Sequence, residues 1–596
     1  MEKKLTKELY NIIKSYKEDT VDIIDGLSYS QYDTIKTIEF YYNSKYLTGQ
    51  KDKRGRDKPF YNVTKAKVKV ATRAIDLDTK DIRISSDQPH NPYHAIVASH
   101  ELYQWFKDTN FAKTLNEAQE KYVKYGGVLF KTVKEGNEVK LETVDWTNVI
   151  TDQIDIQNGV IIETHFLNAV QLAKKLPNWN MGVSFNECLE AIEKDKGKKP
   201  GTLSSTETFT VLEVHGVMPN SYISDAEEAD DIFSQQVHFV LGAEKEKNRI
   251  VLHSAYEKES PYDFIPYNEV PGRGLGTGVV EDGIESQVWQ NDAVLKQRDI
   301  TENASKIIYK SNNPSIGGNI NAYSENGDVI DTSEGDIALM NMTPSSVPIF
   351  NDLLEQWNTQ YERVSSTFAA NTGETLPSGT PFRQTLILNQ EANSEFDYRR
   401  EQFGIALADI LNRRVLPVLM KRVNKKHILS STYSPSEVKA INKGLALKKA
   451  NKIFTDKILN TSIEGIKKGE VVTQADYDSY VKDISSLVLT KPFLEMEDGD
   501  FDDFEGKISI ITTGEQRNKG VQLESLFTIL QTVAKIPQIL QDPVLQQIFI
   551  RLVEVADVGI SAEALLEDIQ QAQPAQQPQG ELPQFPQEQQ LAQAVA

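Results

Sequence analysis

Ile349 to Lys426 reads IFNDLLEQWNTQYERVSSTFAANTGETLPSGTPFRQTLILNQEANSEFDYRREQFGIALADILNRRVLPVLMKRVNKK, two helical patterns of unequal length around a short break rich in glycine and proline. Phe350, Leu353, Leu354, Trp357, Tyr361, Val364 and Phe368 recur at spacings of three and four, one apolar stripe of a 3.6-residue period. Asn371-Thr372-Gly373-Glu374-Thr375-Leu376-Pro377-Ser378-Gly379-Thr380-Pro381 interrupts the pattern. From about Phe382 to Lys426 the chain reads as helix again, with Pro417 as its one internal proline. Roughly forty residues at ~1.5 Å rise would reach about 60 Å, twice the ~30 Å of a small domain. A rod of that length predicts shelter from other domains or other subunits, and a large assembly more than a pocket enzyme.

The rest of the chain sets the bounds. At 596 residues it exceeds the ~250 to 300 at which single hydrophobic cores stop growing, so two or more domains are expected. A 39% hydrophobic and 25% charged composition is that of a folding, globular chain. No run approaches the ~18 apolar residues of a membrane span, and Met1-Glu2-Lys3-Lys4-Leu5 opens a charged amphipathic segment, so neither secretion nor a membrane is expected. Cys188 is the single cysteine, which excludes an internal disulfide, disfavours a cysteine-based metal site and fits a reducing cytoplasm. A net charge of -21 argues against gripping nucleic acid over the whole surface. With a Debye length of about 8 Å, however, DNA responds only to the charges lining its path.

Along the chain, residues 3 to 47 read as two helices, with Leu9, Ile12, Ile13 and Tyr16 on one face and Ile23, Ile24, Leu27, Ile35, Ile38 and Tyr42 following. The basic stretch Gly49 to Pro59 reads as a surface loop, and Leu102 to Tyr125 as a helix stopped by Gly126-Gly127. Strands are expected at Val128–Val133, Val139–Val144, Val160–Phe166, Phe209–Val217, Gln236–Leu241 and Arg249–His253, with a helical insert at Ala169–Lys194 and an acidic loop at Asp225–Asp231. The fold class is therefore α+β and multidomain. Gly272 to Gly278 reads as a flexible lead-in to a helix from about Val279 to Tyr309, with Val280, Ile284, Val288 and Leu295 on a common stripe. Asn312 to Met342 is short and strand-like. Ser434 to Leu489 is mostly helical in pattern, Lys507 to Thr512 a strand, and Gly520 to Val558 helical. Beyond Asp568 the Gln/Pro-rich tail lacks the apolar area to offset its ordering entropy and reads as disordered.

No motif carries catalysis. The glycines at 272 to 278 match neither G-x-G-x-x-G nor a P-loop. Asp498, Asp500 and Asp502 begin like a calcium loop, but Asp503 stands where an EF-hand needs glycine and Ser509 where it needs glutamate. A solvated acidic loop is the default for residues 495–505; the alternatives for the chain are a metal-dependent DNA-processing enzyme using those carboxylates, or a structural adaptor without a channel. His90, His94 and His100 lack HExxH spacing, and His165, His215, His238, His253 and His427 read as isolated structural residues. There is no G-x-S-x-G elbow, and nothing near Cys188 would activate it. Gln287, Gln290, Asn291, Gln297 and Asn303 give the helix after Val279 an amide-rich character, and plain solvent exposure accounts for them equally well. Neither a metal nor a cofactor is expected.

The order of elements resembles that of the tailed-bacteriophage portal proteins. The resemblance covers most of the chain and is carried by Asn62-Val63-Thr64-Lys65-Ala66-Lys67-Val68 through Ile84, by Tyr125-Gly126-Gly127-Val128-Leu129-Phe130 through Val144-Asp145-Trp146-Thr147-Asn148-Val149, and by Gly274 to Asn291. It rests on arrangement more than on invariant residues. It implies N-terminal helices and an α+β wing over 1–278, a stem helix in 279–311, a small β clip in 312–345 and a returning stem helix in 346–370. A tunnel loop would follow from Asn371 to Pro381 with Phe382 and Arg383, and then a long wing helix over 384–430. Residues 431–519 would complete the wing or crown base, 520–567 a helical crown or barrel, and 568–596 the tail. The insert at Ala169–Lys194 and the tail are not general features of that family. The resemblance further implies a homo-oligomeric ring, a dodecamer, at the capsid vertex of a virion assembled in the host cytoplasm. Double-stranded DNA would pass through its channel, with the packaging motor (terminase), the head-to-tail adaptor and the major capsid protein as partners. Lys296, Arg298, Lys306, Lys310 and Arg383 are the candidate contacts to the DNA backbone.

Overall fold

The computed structural model describes residues 2–86, 92–136, 138–197, 208–223, 232–304, 308–311, 337–340, 347–368, 382–423 and 506–510, with isolated positions between 441 and 482. The chain divides into two compact units, residues 1–430 with 444–512 and residues 431–443 with 513–596, and nearly all described residues belong to the first. Its architecture mixes helices with antiparallel sheet. The acidic segments 225–231 and 495–505, the break at 371–381, most of 434–489, the helices expected after Gly520 and the tail lie outside the described residues.

Helix α1 (Glu2–Glu18) is followed by a hairpin of β1 (Val21–Ile24) and β2 (Leu27–Tyr29), then α2 (Gln31–Tyr42). The expectation of two helices across 3 to 47 is thereby corrected at Ile23, Ile24 and Leu27. Gly26 turns the chain at φ +83, where a side chain would be strained, and the β-branched Val21, Ile23 and Ile24 of β1 precede it. Ser30 then caps α2, its side chain accepting from the Asp33 amide. Next come α3 (Thr64–Ala74), β3 (Ile82–Ser86), α4 (Pro92–Asp108) and α5 (Phe111–Tyr125). The single helix expected from Leu102 to Tyr125 is thus two, broken at Asn110 with φ 53.

The middle of the chain lays down β4 (Gly127–Glu135), β5 (Glu138–Thr143), β6 (Val149–Ile150) and β7 (Ile161–Asn168), helices α6 (Ala169–Lys175) and α7 (Phe185–Asp195), then β8 (Thr208–Pro219), β9 (Phe233–Leu241), β10 (Ile250–Tyr256) and β11 (Tyr262–Pro266). Strands β10-β9-β8-β7-β6 form one antiparallel sheet and β11-β4-β5 another. Strand β8 alternates its burden. Leu212, Val214 and Met218 pack with Leu5 and Leu9 of α1, whereas Phe209 and Val211 pack with Leu172, Cys188 and Ile192 of the helical insert. The insert is thus the lid over one end of a sheet face, where it covers apolar side chains that would otherwise meet water.

Gly272 to Gly278 is a packed junction, not a flexible lead-in. A Cβ on Gly276 would sit 2.5 Å from the Gly126 carbonyl oxygen, and one on Gly278 2.5 Å from the Gly126 nitrogen. Gly126 itself ends α5 at φ +88. Two backbones therefore cross here at a distance that only glycine permits.

The remaining elements are α8 (Val279–Asp282), α9 (Ile284–Ala304), β12 (Ile308–Ser311), β13 (Ile337–Met340), α10 (Val347–Ser365), α11 (Phe382–Ile410), a π-helical turn at Leu411–Val415, α12 (Leu416–Val423) and β14 (Gly506–Ile510). The helix expected to reach Tyr309 is interrupted at Gly283 and ends at Ala304, with Tyr309 and Lys310 in β12. Phe382 and Arg383, expected in the preceding loop, are the first residues of α11. Backbone helicity then continues from Phe382 to Val423, the π turn included. Phe396, Phe403, Leu407, Ile410, Leu411, Val415 and Leu419 are all buried in the core that α2 to α5, β4, β5 and β11 build. From Phe396 onward the rod finds shelter in its own chain, so its length alone does not demand identical neighbours.

Candidate functional site

Helices α9 and α10 pack as a pair, and strands β12 and β13, which follow one and precede the other, pair antiparallel from Ile308↔Met340 to Ser311↔Ile337. At its base the pair is fixed by a steric match. A Cβ on Gly283 would fall 1.8 Å from the Tyr361 ring, and Tyr361, fully buried, donates its hydroxyl to the Val279 carbonyl at 3.3 Å. Midway, Trp289 and Trp357 stack at 5.8 Å with planes 6° apart, and Gln297 donates to Asn351. Val280, at the start of the expected apolar stripe, is buried, whereas Val288 is 40% exposed and the adjacent Trp289 43%, so the described residues leave the stripe open there.

Three of the α9 amides, Gln287, Gln290 and Asn291, are buried, against the solvent reading. The buried Gln287 Oε1 accepts from the Val63 and Thr64 amides and the Thr64 hydroxyl, capping α3, while Asn291 Oδ1 accepts from the Tyr61 amide. Gln290 is fully buried, and neither of its amide atoms meets a hydrogen-bond partner among the described residues. The end of α10 is tied down as well. Lys67 Nζ reaches Glu362 at 3.0 Å and the Thr367 carbonyl at 3.3 Å, and the Ser365 hydroxyl shares a hydrogen bond with that of Thr367. On the far side of residues 371–381, Arg399 donates to the Tyr267 carbonyl and Arg414 pairs with Asp263 at 3.0 Å. The chain is thus anchored to the α+β body on both sides of that break.

Of the candidate phosphate contacts, Lys296 is exposed and pairs with Asp292 at 2.7 Å. Arg298 is turned away into a clasp, donating to Asp52 at 2.9 Å and to the Asp57 carbonyl, so it is corrected from a contact to a strut. Lys306, the loop Asn371–Pro381, and the side chains of Asn303, Lys310 and Arg383 lie outside what is described.

A second constellation was invisible as separate histidines. Where the two sheets meet, Glu163 of β7 lies opposite Glu213 of β8, and Lys131 of β4 places its ammonium 2.6 Å from both. His165 Nε2 lies 2.6 Å from Glu213, His215 lies 2.9 Å from Glu213 and 2.8 Å from Glu257, and the Tyr262 hydroxyl donates to Glu163. Burial works to raise the Glu213 carboxyl, but hydrogen bonds from His165 and His215 and the Lys131 charge hold it far below the usual carboxylate range. Burial likewise opposes protonation of His215, yet its bonds to Glu213 and Glu257 push its pKa up. Ligand atoms of Glu163, His165 and Glu213 lie within 4.8 Å of one another, a spacing that suits a metal ion. Lys131 already holds the cation's place between the carboxylates, so the donor set is complete without one.

Two nucleophile candidates among the described residues are buried. Ser254 and His238 are hydrogen-bonded at 2.8 Å, with Gln236 on the other ring nitrogen, but both are buried, and burial lowers His238 to about 4. Burial raises the Cys188 thiol to about 11, which keeps it protonated. No helix among the described residues is long and apolar enough to cross a membrane. No family model matches the sequence, and neither does any curated protein.

Proposed function

We propose that the chain is the subunit of a portal-type ring, a conduit for double-stranded DNA at a capsid vertex. The observation that carries this reading is the α9–α10 helix pair. It is joined at one end to a small two-stranded β excursion, pinned at the other to an α+β body, and followed across residues 371–381 by helical backbone running from Phe382 to Val423. The exposed Trp289, stacked on the half-buried Trp357, gives a second copy an apolar surface to cover. The reading assigns positioning and passage of DNA to the chain and no bond-breaking step. The packaging motor, the head-to-tail adaptor and the capsid protein are its partners, and the virion its location.

Imaging of the purified full-length protein by negative stain, with native mass on the same sample, tests the proposal. Closed rings with a central hole are expected, twelve subunits in each. A strictly monomeric mass at micromolar concentration, or filaments without a hole, would refute it.

A further inference from the structure

Between Lys45 and Lys58 six basic side chains stand against two acidic ones, in a chain whose net charge is -21. The fold divides those cations into two sets. Arg56 is drawn inward, pairing with Asp52 at 2.8 Å and Asp299 at 2.7 Å and reaching Glu302, and Arg298 joins Asp52 from α9. Lys58 lies over the Tyr46 ring and donates to the Gly49 carbonyl. Lys51, Lys53 and Arg54 are left exposed, and their side chains meet no counter-charge among the described residues.

These three are held, not trailing. The Asp52 amide donates to the Arg56 carbonyl at 2.9 Å, the Gly55 amide to the Asp52 carbonyl at 3.0 Å and the Lys58 amide to the Gln50 carbonyl at 2.8 Å. Asp52 Oδ1 accepts from the Arg54 and Arg56 amides, closing the turn around Gly55 at φ +80. Fixing three like charges within four residues opposes folding through their mutual repulsion. The clasp of Asp52, Asp299 and Glu302 spends its own acids on Arg56 and Arg298 and leaves the outward three uncompensated. An arrangement of that kind is relieved by a polyanion, and its rigidity lowers the entropic cost of meeting one.

We propose that the tip Lys51, Lys53 and Arg54 is a phosphate-contact site for double-stranded DNA, carried by the clasp on the last turns of α9. The inference rests on reading the α9–α10 pair as part of a DNA conduit, which supplies the polyanion. The net acidity of the chain does not forbid it, because charges beyond a Debye length of about 8 Å are screened.

The test is binding of full-length protein to a blunt duplex across a salt series. Each phosphate neutralised contributes about 0.9 to the slope of log K against log salt, so Lys51→Gln/Lys53→Gln/Arg54→Gln should make that slope shallower by about two to three. Lys174→Gln/Lys175→Gln/Lys194→Gln removes the same charge from exposed positions on α6 and α7 and should leave the slope unchanged. An unaltered slope in the first variant, or an equal loss in the second, overturns the proposal. Images of the same samples separate the two readings: rings with an unaltered slope sink the tip, whereas a shallower slope without rings sinks the conduit.

Discussion

The seam between the two sheets and the α9–α10 pair satisfy their side chains in opposite ways. In the seam, Lys131, Glu163, Glu213, His165, His215, Glu257 and Tyr262 all meet partners from their own chain. On the helix pair, Trp289 faces solvent and Gln290 is buried with neither amide atom bonded among the described residues. Closed polar networks fix how elements of one subunit dock. Exposed aromatic surface is what a subunit keeps for something else. Among the described residues, the difference separates a body whose polar groups are paired from a helical arm with an open face.

The largest effect is expected where the seam is broken. Lys131→Met would leave two carboxylates facing each other across β7 and β8, a loss of about 3 to 5 kcal/mol read from the urea midpoint. Restoration by adding Glu213→Gln and Glu163→Gln would show that uncompensated charge, not lost packing, is the cause. A loss below about 1 kcal/mol would mean that the seam does not hold the sheets together. The pH dependence has two limbs. The folded carboxyl of Glu213 is depressed, so its contribution is present above the unfolded value of ~4.3 and fades as pH falls through the lower folded one. His215 is raised, so its contribution is complete below ~6.5 and is lost as pH rises through the folded value. His215→Gln should flatten the alkaline limb and, because His215 is one of the groups that hold Glu213 down, weaken the acid limb as well.

Next is the joint between body and arm. Gly283→Ala drives a methyl group into the Tyr361 ring and should cost about 1 to 3 kcal/mol. Tyr361→Leu in the same chain should make the two losses less than additive, since both act through one contact. Simple addition of the two in denaturant unfolding would contradict the tight crossing.

The body was the more legible of the two in the sequence. Alternating runs such as Val139 to Val144 marked its strands, because a half-buried strand writes its register into every second residue. The hairpin at Val21–Tyr29 was missed because Ile23, Ile24 and Leu27 mimic helical spacing. The seam was illegible for a different reason: Lys131, Glu163, Glu213 and Glu257 are distant in sequence, and only the pairing of β7 with β8 and the apposition of β4 make them neighbours. Glu163 and Glu213 standing at inward strand positions were the one available signal, since a carboxylate there needs a partner. In the arm, Gln287 looked like surface polarity, and its role as a cap for α3 depends on a contact 224 residues away at Val63.

A smaller effect, of opposite sign, is expected beside the joint. Burial and the neighbouring Glu281 raise the Asp282 carboxyl to about 6, so ionising it opposes folding. Stability from this group is complete below ~3.9 and is lost as pH rises to about 6. Asp282→Asn should therefore stabilise the protein at pH 7 by about 1 to 2 kcal/mol and make little difference at pH 4. Equal effects at both pH values would show that the side chain acts through packing instead.

The least change in subunit stability should follow truncation of the stacked pair. Trp289 is nearly half exposed, so Trp289→Ala forfeits the aromatic contact with Trp357, about 0.5 to 1.5 kcal/mol, and little burial. If the arm's open face is covered by a neighbouring copy, the same substitution removes surface from every interface of the assembly, and the loss is multiplied around it. Native mass should then show the population of large assemblies falling steeply while the unfolding midpoint of the dissociated subunit barely moves. A midpoint that drops by several kcal/mol with assembly intact would put Trp289 on the side of the body and erase the distinction between the two regions.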